Sequence, residues 1–264
     1  MELSNLLWRS LKWRFQNPAT IFMNITQPLI WLLLFSTMFQ TPGSSTPGYT
    51  AFFIPGLLVM TALTSAGVSC GIANYYLKSG GVFFRIYISP VRRCSIVLAQ
   101  ILDVEVLSFI GIGILLLLSL PLGTQLKTGF GGLLLVILLL FLCVFFVASA
   151  SYTLSFVMPD ENAFIGFVNT LVMVLFFVST AFVDYENIRA AFRIPVMLNP
   201  FSHVITEIRA LMLGTTISVG SCLRTIALML LLCVIMFCIA VHTLRSRTEK
   251  KVCSGEQTSK NLLS

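Results

Sequence analysis

Chemistry needs convergent nucleophiles, acids, bases or metal ligands, and this sequence offers few. It holds two histidines, His203 and His242, and seven cysteines. His203 and Glu207 stand four apart, so on a helix they share a face. Two ligands make a weak metal site, and a solvated pair at the outer surface is expected instead. Cys70, Cys143, Cys233 and Cys238 fall inside apolar runs, Cys94 and Cys253 in basic segments, and Cys222 near the start of the last run. With no CxxC pair among them, structural thiols are expected and no metal. The GxSxG string Gly67-Val68-Ser69-Cys70-Gly71 lies inside an apolar run and not at a strand-to-helix turn, and no HExxH pair occurs, so no hydrolytic machinery is evident. The acids Asp103 and Glu105 are expected at headgroup depth near Arg92 and Arg93, as interface pairs in place of a proton relay. A GxxxxGK[ST] loop is absent too, which removes a nucleotide site. The chain is expected to be no enzyme and to bind no cofactor, so uphill work must be driven by another subunit.

The elements around these residues belong to a membrane. Hydrophobic residues make up 57% of the chain and charged residues 10%, with a mean hydropathy of +0.94. Soluble domains carry about 25% charged residues, so lipid must be the solvent for most of the outer surface. The net charge of +7 sits in short hydrophilic breaks, which speaks of orientation and anionic headgroups and not of nucleic acid. A spanning helix needs about 20 mostly apolar residues. Runs at roughly 19–39, 52–76, 103–122, 131–157, 163–183 and 222–243 meet that need. The expectation is an all-α integral membrane protein with six transmembrane helices in 19–245 and a polar cytoplasmic tail over 246–264. The first run is about twice a signal h-region, so no cleaved leader is expected.

Basic residues set the orientation. One set of breaks holds Arg9, Lys12, Arg14, Lys78, Arg85, Arg92, Arg93, Arg245, Arg247, Lys250, Lys251 and Lys260. The opposite set holds Lys127, Arg189, Arg193, Arg209 and Arg224. The positive-inside rule places both termini in the cytoplasm, and the uncharged first outer loop, Gln40 to Thr50, agrees.

Two further segments stand out. Residues 3–17 read as an amphipathic helix, within a cytoplasmic interface segment over 1–18. Asn5, Arg9, Lys12 and Gln16 form its polar arc, Arg14 adds charge, and Leu3, Leu6, Leu7, Trp8, Leu11, Trp13 and Phe15 cover the rest. The outer segment from Asp184 to Ser221 is too long for a plain connector. Phe201, Val204, Ile205, Ile208, Leu211 and Met212 repeat at helical spacing up to Gly214. Short re-entrant helices broken at Pro195 and Pro200 account for it, with Asn199, Pro200, Glu207 and Arg209 as candidate gate residues. Gly67 and Gly71 lie four apart in the second run with Ser65 and Ser69 nearby. Such spacing serves close helix packing, either within the chain or against a second copy.

Four stretches in this order resemble the type-2 ABC exporter permeases, whose members export drugs, lipids or polysaccharides. They are the basic start leading through Pro18 to Gln27-Pro28-Leu29, then Phe53-Ile54-Pro55-Gly56-Leu57. Next come Ile88-Ser89-Pro90-Val91-Arg92-Arg93 with Ile96-Val97-Leu98-Ala99-Gln100, and finally Leu198-Asn199-Pro200-Phe201 with Glu207-Ile208-Arg209 and Gly214. The likeness runs from about residue 3 to 245. It implies two permease chains working with two cytoplasmic ATPase subunits, ATP and Mg residing in the latter. It also implies that Gly80 to Arg93 is the coupling element docked on the ATPase, with Gly80, Arg85, Ser89, Pro90, Arg92 and Arg93 as its residues. A short helix on a rigid span end transmits a rigid-body push, and arginines pair with carboxylates. The chain departs from the family at Lys78-Ser79-Gly80-Gly81-Val82, where an acidic residue and a Gly-Thr usually stand. Whether the second permease chain is identical or different stays open. The resemblance implies a pathway lined by the second and fifth runs (Thr61, Thr64, Asn169, Phe176 and Phe177), suited to an amphipathic cargo. An ion-coupled carrier or channel in the cell membrane is the alternative.

Overall fold

The computed structural model describes residues 7–8, 11–12, 18–38, 48–79, 92–119, 129–182, 190–214 and 219–262. Among these the regular elements are eight helices of five residues or more. They are α1 (Pro18–Met38), α2 (Gly48–Ser79), α3 (Arg93–Ser119), α4 (Gly129–Val157), α5 (Glu161–Phe177), α6 (Ala190–Leu198), α7 (Pro200–Leu213) and α8 (Val219–Leu262). Their boundaries follow local chemistry. Pro18 opens α1, where its missing N–H costs nothing. Pro159 and Asp160 break the chain between α4 and α5, and Asp160 is the extended N-cap of α5. Gly214 closes α7 with φ 69°, a left-handed conformation that a glycine adopts without steric cost.

Four of the described helices are long and apolar enough to cross a membrane: Phe52–Leu77, Arg93–Ser119, Gly129–Val157 and Gly220–Ser246. Six spans were expected; four of them coincide with these helices among the described residues, and the other two expected runs fall on α1 and α5. The run at 19–39 corresponds to the 21-residue α1, and the one at 163–183 to α5, which has only 17 residues. At about 1.5 Å per residue, α5 is roughly 26 Å long, short of the ~30 Å hydrocarbon core. The third span begins at Arg93, ten residues before the expected start. α8 continues as helix to Leu262, through the segment expected as a polar tail. Of the expected interface helix, Leu7–Trp8 and Leu11–Lys12 are helical, with Trp8 and Lys12 exposed; Arg9, Arg14 and the remainder lie outside the described residues.

α2 is the axis of the bundle, its apolar window 83% buried against 22% for that of α8. It runs antiparallel to α3, where the Ser108 hydroxyl donates to Ser65 Oγ at 3.0 Å. It runs parallel to α4, where Ser151 Oγ donates to the Gly67 carbonyl at 2.5 Å. One helical turn further on, Asn74 Nδ2 donates to Ser155 Oγ at 2.9 Å. Hydroxyl bonds of this kind hold membrane helices together where no hydrophobic drive exists between them.

The two glycines of α2 receive α5. A Cβ on Gly67 would stand 3.0 Å from Val168 Cγ1, and one on Gly71 would stand 1.9 Å from Phe164 Cζ. Phe164 is fully buried, its ring tilted against Tyr75 with centroids 5.7 Å apart. Of the two packing roles open to these glycines, the structure shows the one within the chain. Gly71→Ala is therefore expected to unseat α5, costing roughly 1–3 kcal/mol by overpacking. Gly113→Ala on α3, whose Cβ meets nothing within 4 Å, serves as the matched control. Thermal unfolding in detergent checks this, and equal midpoints for the two variants would contradict the seating of α5 on α2.

Candidate functional site

A helix leaves its last carbonyls without intrahelical donors, and in hydrocarbon no water replaces them. α5 meets this problem after Phe177, where the chain turns through 178–182. Asn199 supplies the first answer. Its Nδ2 donates to Leu175 O at 2.7 Å and Val178 O at 2.9 Å. Its Oδ1 accepts from Phe201 N at 3.1 Å, which makes it the N-cap of α7. One buried amide thus ends α5 and begins α7. Pro200 follows at N1, where no donor is wasted.

Arg209 supplies the second. Its Nε donates to Phe52 O at 3.1 Å, and one terminal nitrogen donates to Thr180 O at 2.7 Å and Ala181 O at 3.3 Å. The guanidinium carbon lies 3.5 Å from the Phe52 ring centroid, a cation–π stack strengthened by exclusion of water. Arg209 is only 6% exposed, so its fork joins the start of α2, the turn after α5 and α7. A planar fork reaches three carbonyls where an ammonium could not.

Hydroxyls complete the clamp. Thr180 Oγ1 donates to Ser202 O at 3.0 Å and pairs with Thr206 Oγ1 at 3.2 Å. Glu207 is buried and accepts from the Ser221 hydroxyl at the head of α8. Phe201 packs on Phe146 of α4, centroids 5.9 Å apart. The four candidate gate residues therefore converge on one end of the bundle. The expected His203–Glu207 pair does not form. His203 Nε2 hydrogen-bonds to Met197 O at 3.0 Å, because Glu207 points inward to Ser221.

The lining candidates divide. Thr61 is buried and bonds Leu57 O at 2.8 Å, facing α3 where a Cβ on Gly111 would touch it. Thr64 is half-buried on the α5 side of α2 and bonds Met60 O at 2.9 Å. Phe176 is buried against Phe182. Phe177 stacks on Phe182 at an interplanar angle of 6° and is exposed on its other side. Asn169 is exposed on the open face of α5. Asn169 and Phe177 thus share that face, while Thr61 lies on the opposite side of α2. Among the coupling candidates, Arg92 is exposed and its carbonyl accepts from Ser95 N at 2.9 Å at the head of α3. Arg93 is the first residue of α3. Gly80, Arg85, Ser89 and Pro90 lie outside the described residues.

Asp103 and Glu105 are corrected in depth. They stand ten and twelve residues into α3, about 15–18 Å from its start, and each is 3% exposed. The expectation of headgroup residues rested on a span beginning at 103, and the earlier helix start moves both inside. Asn74 was missed altogether, although an amide inside an apolar run is a standing signal for an interhelical bond.

Comparison with known proteins decides the family. The profile described as ABC-2 type transporter matches residues 1–213, which takes in α1 to α7 and every clamp residue but Ser221. The chain belongs to the ABC-2 type transporter family. A transport permease ycf38 of Cyanophora paradoxa is 30% identical over 201 residues, covering 74% of this chain and 69% of that protein. The ycf38 permease of Pyropia yezoensis is 26% identical, covering 80% and 73%. The daunorubicin resistance ABC transporter permease protein DrrB1 of Streptomyces coeruleorubidus is 27% identical, covering 79% and 74%.

The clamp of this ABC-2 permease yields an ordered series. Asn199→Ala orphans two carbonyls and a cap, and is expected to cost roughly 1–3 kcal/mol. Arg209→Met should cost more than Asn199→Ala, and Arg209→Lys should fall between Arg209→Met and the native protein. Unfolding midpoints of the three variants in lipid nanodiscs check the order. Native stability in Arg209→Met would show that the fork carries no weight.

Proposed function

We propose that the chain is the membrane subunit of an ATP-driven exporter. In this reading it moves an amphipathic molecule, a drug, a lipid or a glycolipid-like compound, out of the cytoplasm across the cell membrane. The observation that carries the reading is the family match over seven of the eight helices, joined to the absence of a phosphate-binding loop in the sequence. A transport permease without a nucleotide site requires its ATPase in another subunit. Two ATPase subunits and a second permease chain, identical or different, complete the proposed assembly. Both termini lie in the cytoplasm, which puts the Arg92–Arg93 end of α3 inward and the Asn199–Arg209 clamp outward.

The open face of α5 supports the cargo class. Phe167, Leu171, Val174 and Phe177 are exposed there beside Asn169 and Thr170. Isolated polar groups on an apolar wall suit an amphipathic molecule better than a sugar polymer. That one relative is named for daunorubicin resistance points the same way. The clamp then serves as the outer gate, since release of cargo requires the ends of α2, α5 and α7 to part.

A second reading has one observation in its favour. Asp103 and Glu105 are buried within α3, and carboxyl groups at depth are the usual equipment of ion-coupled carriers. Transport in proteoliposomes separates the two. Uptake that requires the ATPase and ATP upholds the exporter, whereas uptake that collapses with the proton gradient upholds the carrier.

Coupling has its own test. Arg92→Glu combined with Arg93→Glu should leave the chain inserted and paired, yet abolish stimulation of the co-purifying ATPase by cargo, a loss of at least about tenfold. Undiminished stimulation in that double variant would remove the coupling role from these arginines.

A further inference from the structure

On the side of α3 facing away from α2 runs an open groove of about 550 Å³, lined by Leu7, Leu102, Glu105, Val106, Phe109, Ile110 and Phe141. Its volume falls within the range of small-molecule sites, roughly 300–1,000 Å³. Six of its seven residues are apolar. The seventh is Glu105, which is 3% exposed, and neither carboxyl oxygen has a hydrogen-bond partner among the described residues. Asp103 is no part of this wall. Two residues along a helix is about 200° of rotation, so its carboxyl leaves α3 in a direction well away from that of Glu105. Among the described residues the thiols of Cys143 on α4 and Cys233 on α8 lie within electrostatic range of Glu105, and neither carries a positive charge.

A carboxylate that faces hydrocarbon is costly unless an opposite charge meets it. Proteins with buried carboxylates normally bring an arginine, a lysine or a donor to them, as the Ser221 hydroxyl does for Glu207 in the clamp. At Glu105 the place of that partner is an aromatic and aliphatic groove. The complement of such a site is a single positive charge on an apolar body.

We propose that this groove is the entry site for a lipophilic monocation, an amine or quaternary ammonium carried on an aromatic or acyl frame, with Glu105 as its counter-ion. Phe109 and Phe141 hold the apolar body, and their ring faces favour a cation close by. Their own rings stand 6.5 Å apart, centroid to centroid, on α3 and α4. This deepens the exporter reading by naming its cargo class and rests on that reading for the word entry. The binding itself does not depend on an ATPase, which keeps the two questions apart.

The test is equilibrium binding of tetraphenylphosphonium to the purified full-length chain in nanodiscs, without ATPase or nucleotide, against neutral triphenylphosphine oxide. The native chain is expected to prefer the cation, and Glu105→Gln to weaken cation binding at least about tenfold while leaving the neutral probe unchanged. Asp103→Asn should leave the cation affinity within about twofold, since it lies off the groove. Phe141→Ala should weaken both probes, which keeps the site testable if Glu105→Gln folds poorly. Equal cation binding by native chain and Glu105→Gln would overturn the proposal. So would competition by phosphatidylethanolamine alone, which would make the groove a resident lipid site. A cation that binds through Glu105 yet is not moved with ATP would leave the site standing and sink the exporter reading.

Discussion

In hydrocarbon a helix that stops must have its last carbonyls met by donors, because no water is there to take them. α5 stops early, after Phe177, and the rest of the molecule is arranged around that early end. Asn199 closes the two carbonyls nearest the helix, and Arg209 those of the turn that follows. Neither residue could do this from a flexible connector, so the segment carrying them must itself be helical and buried. α7 meets the requirement, with Val204, Ile205 and Ile208 fully buried against its neighbours. The short span and the buried short helix after it are therefore one device.

The other dependency is the slenderness of α2. A helix in the centre of a bundle lets its neighbours approach only as closely as its side chains permit, and at three points on one side α2 has none. Gly56, Gly67 and Gly71 face Ala181, Val168 and Phe164 in turn, so α5 at two points and the turn beyond it at a third lie against bare backbone. The hydroxyl bonds to α3 and α4 leave from other sides of the same helix. Ser65 and Asn74 are spent on joining helices, and Thr61, a lining candidate in the sequence, is buried towards α3 with its hydroxyl on Leu57 O.

Much of this was legible beforehand, and the failures have physical reasons. Apolar run length located α2, α4 and α8 well, because nothing else in a sequence imitates 20 apolar residues. The run from 163 to 183 also read as a span, but hydropathy cannot see that its helix ends at Phe177, met by hydrogen bonds from residues 21 to 29 positions away. Asn199-Pro200 and Gly214 signalled the start and end of α7 through capping chemistry, which is local. The partners of Arg209 were invisible, since Phe52 lies 157 residues distant. The acids of α3 were misplaced by the same rule that succeeded elsewhere. The expected run of 103–122 opened on its acids, while the actual helix starts ten residues earlier, at Arg93.

Position along α2 links the two ends of the molecule. Its 32 residues span about 48 Å at the helical rise, and it is anchored at both extremes by different partners. At one end the Phe52 carbonyl and ring hold Arg209. Near the other, Asn74 holds Ser155 and the Tyr75 hydroxyl donates to Met158 O at 3.1 Å, at the foot of α4. Packed interiors shift as rigid bodies more readily than they deform. The Asn74 end of α2 and the Phe52 carbonyl that Arg209 binds thus belong to one helix. A clamp built from one arginine shared among three segments cannot loosen on one of them without losing part of its hold on the others. The same residue that meets the carbonyls after α5 thus ties that turn to the start of α2 and to α7.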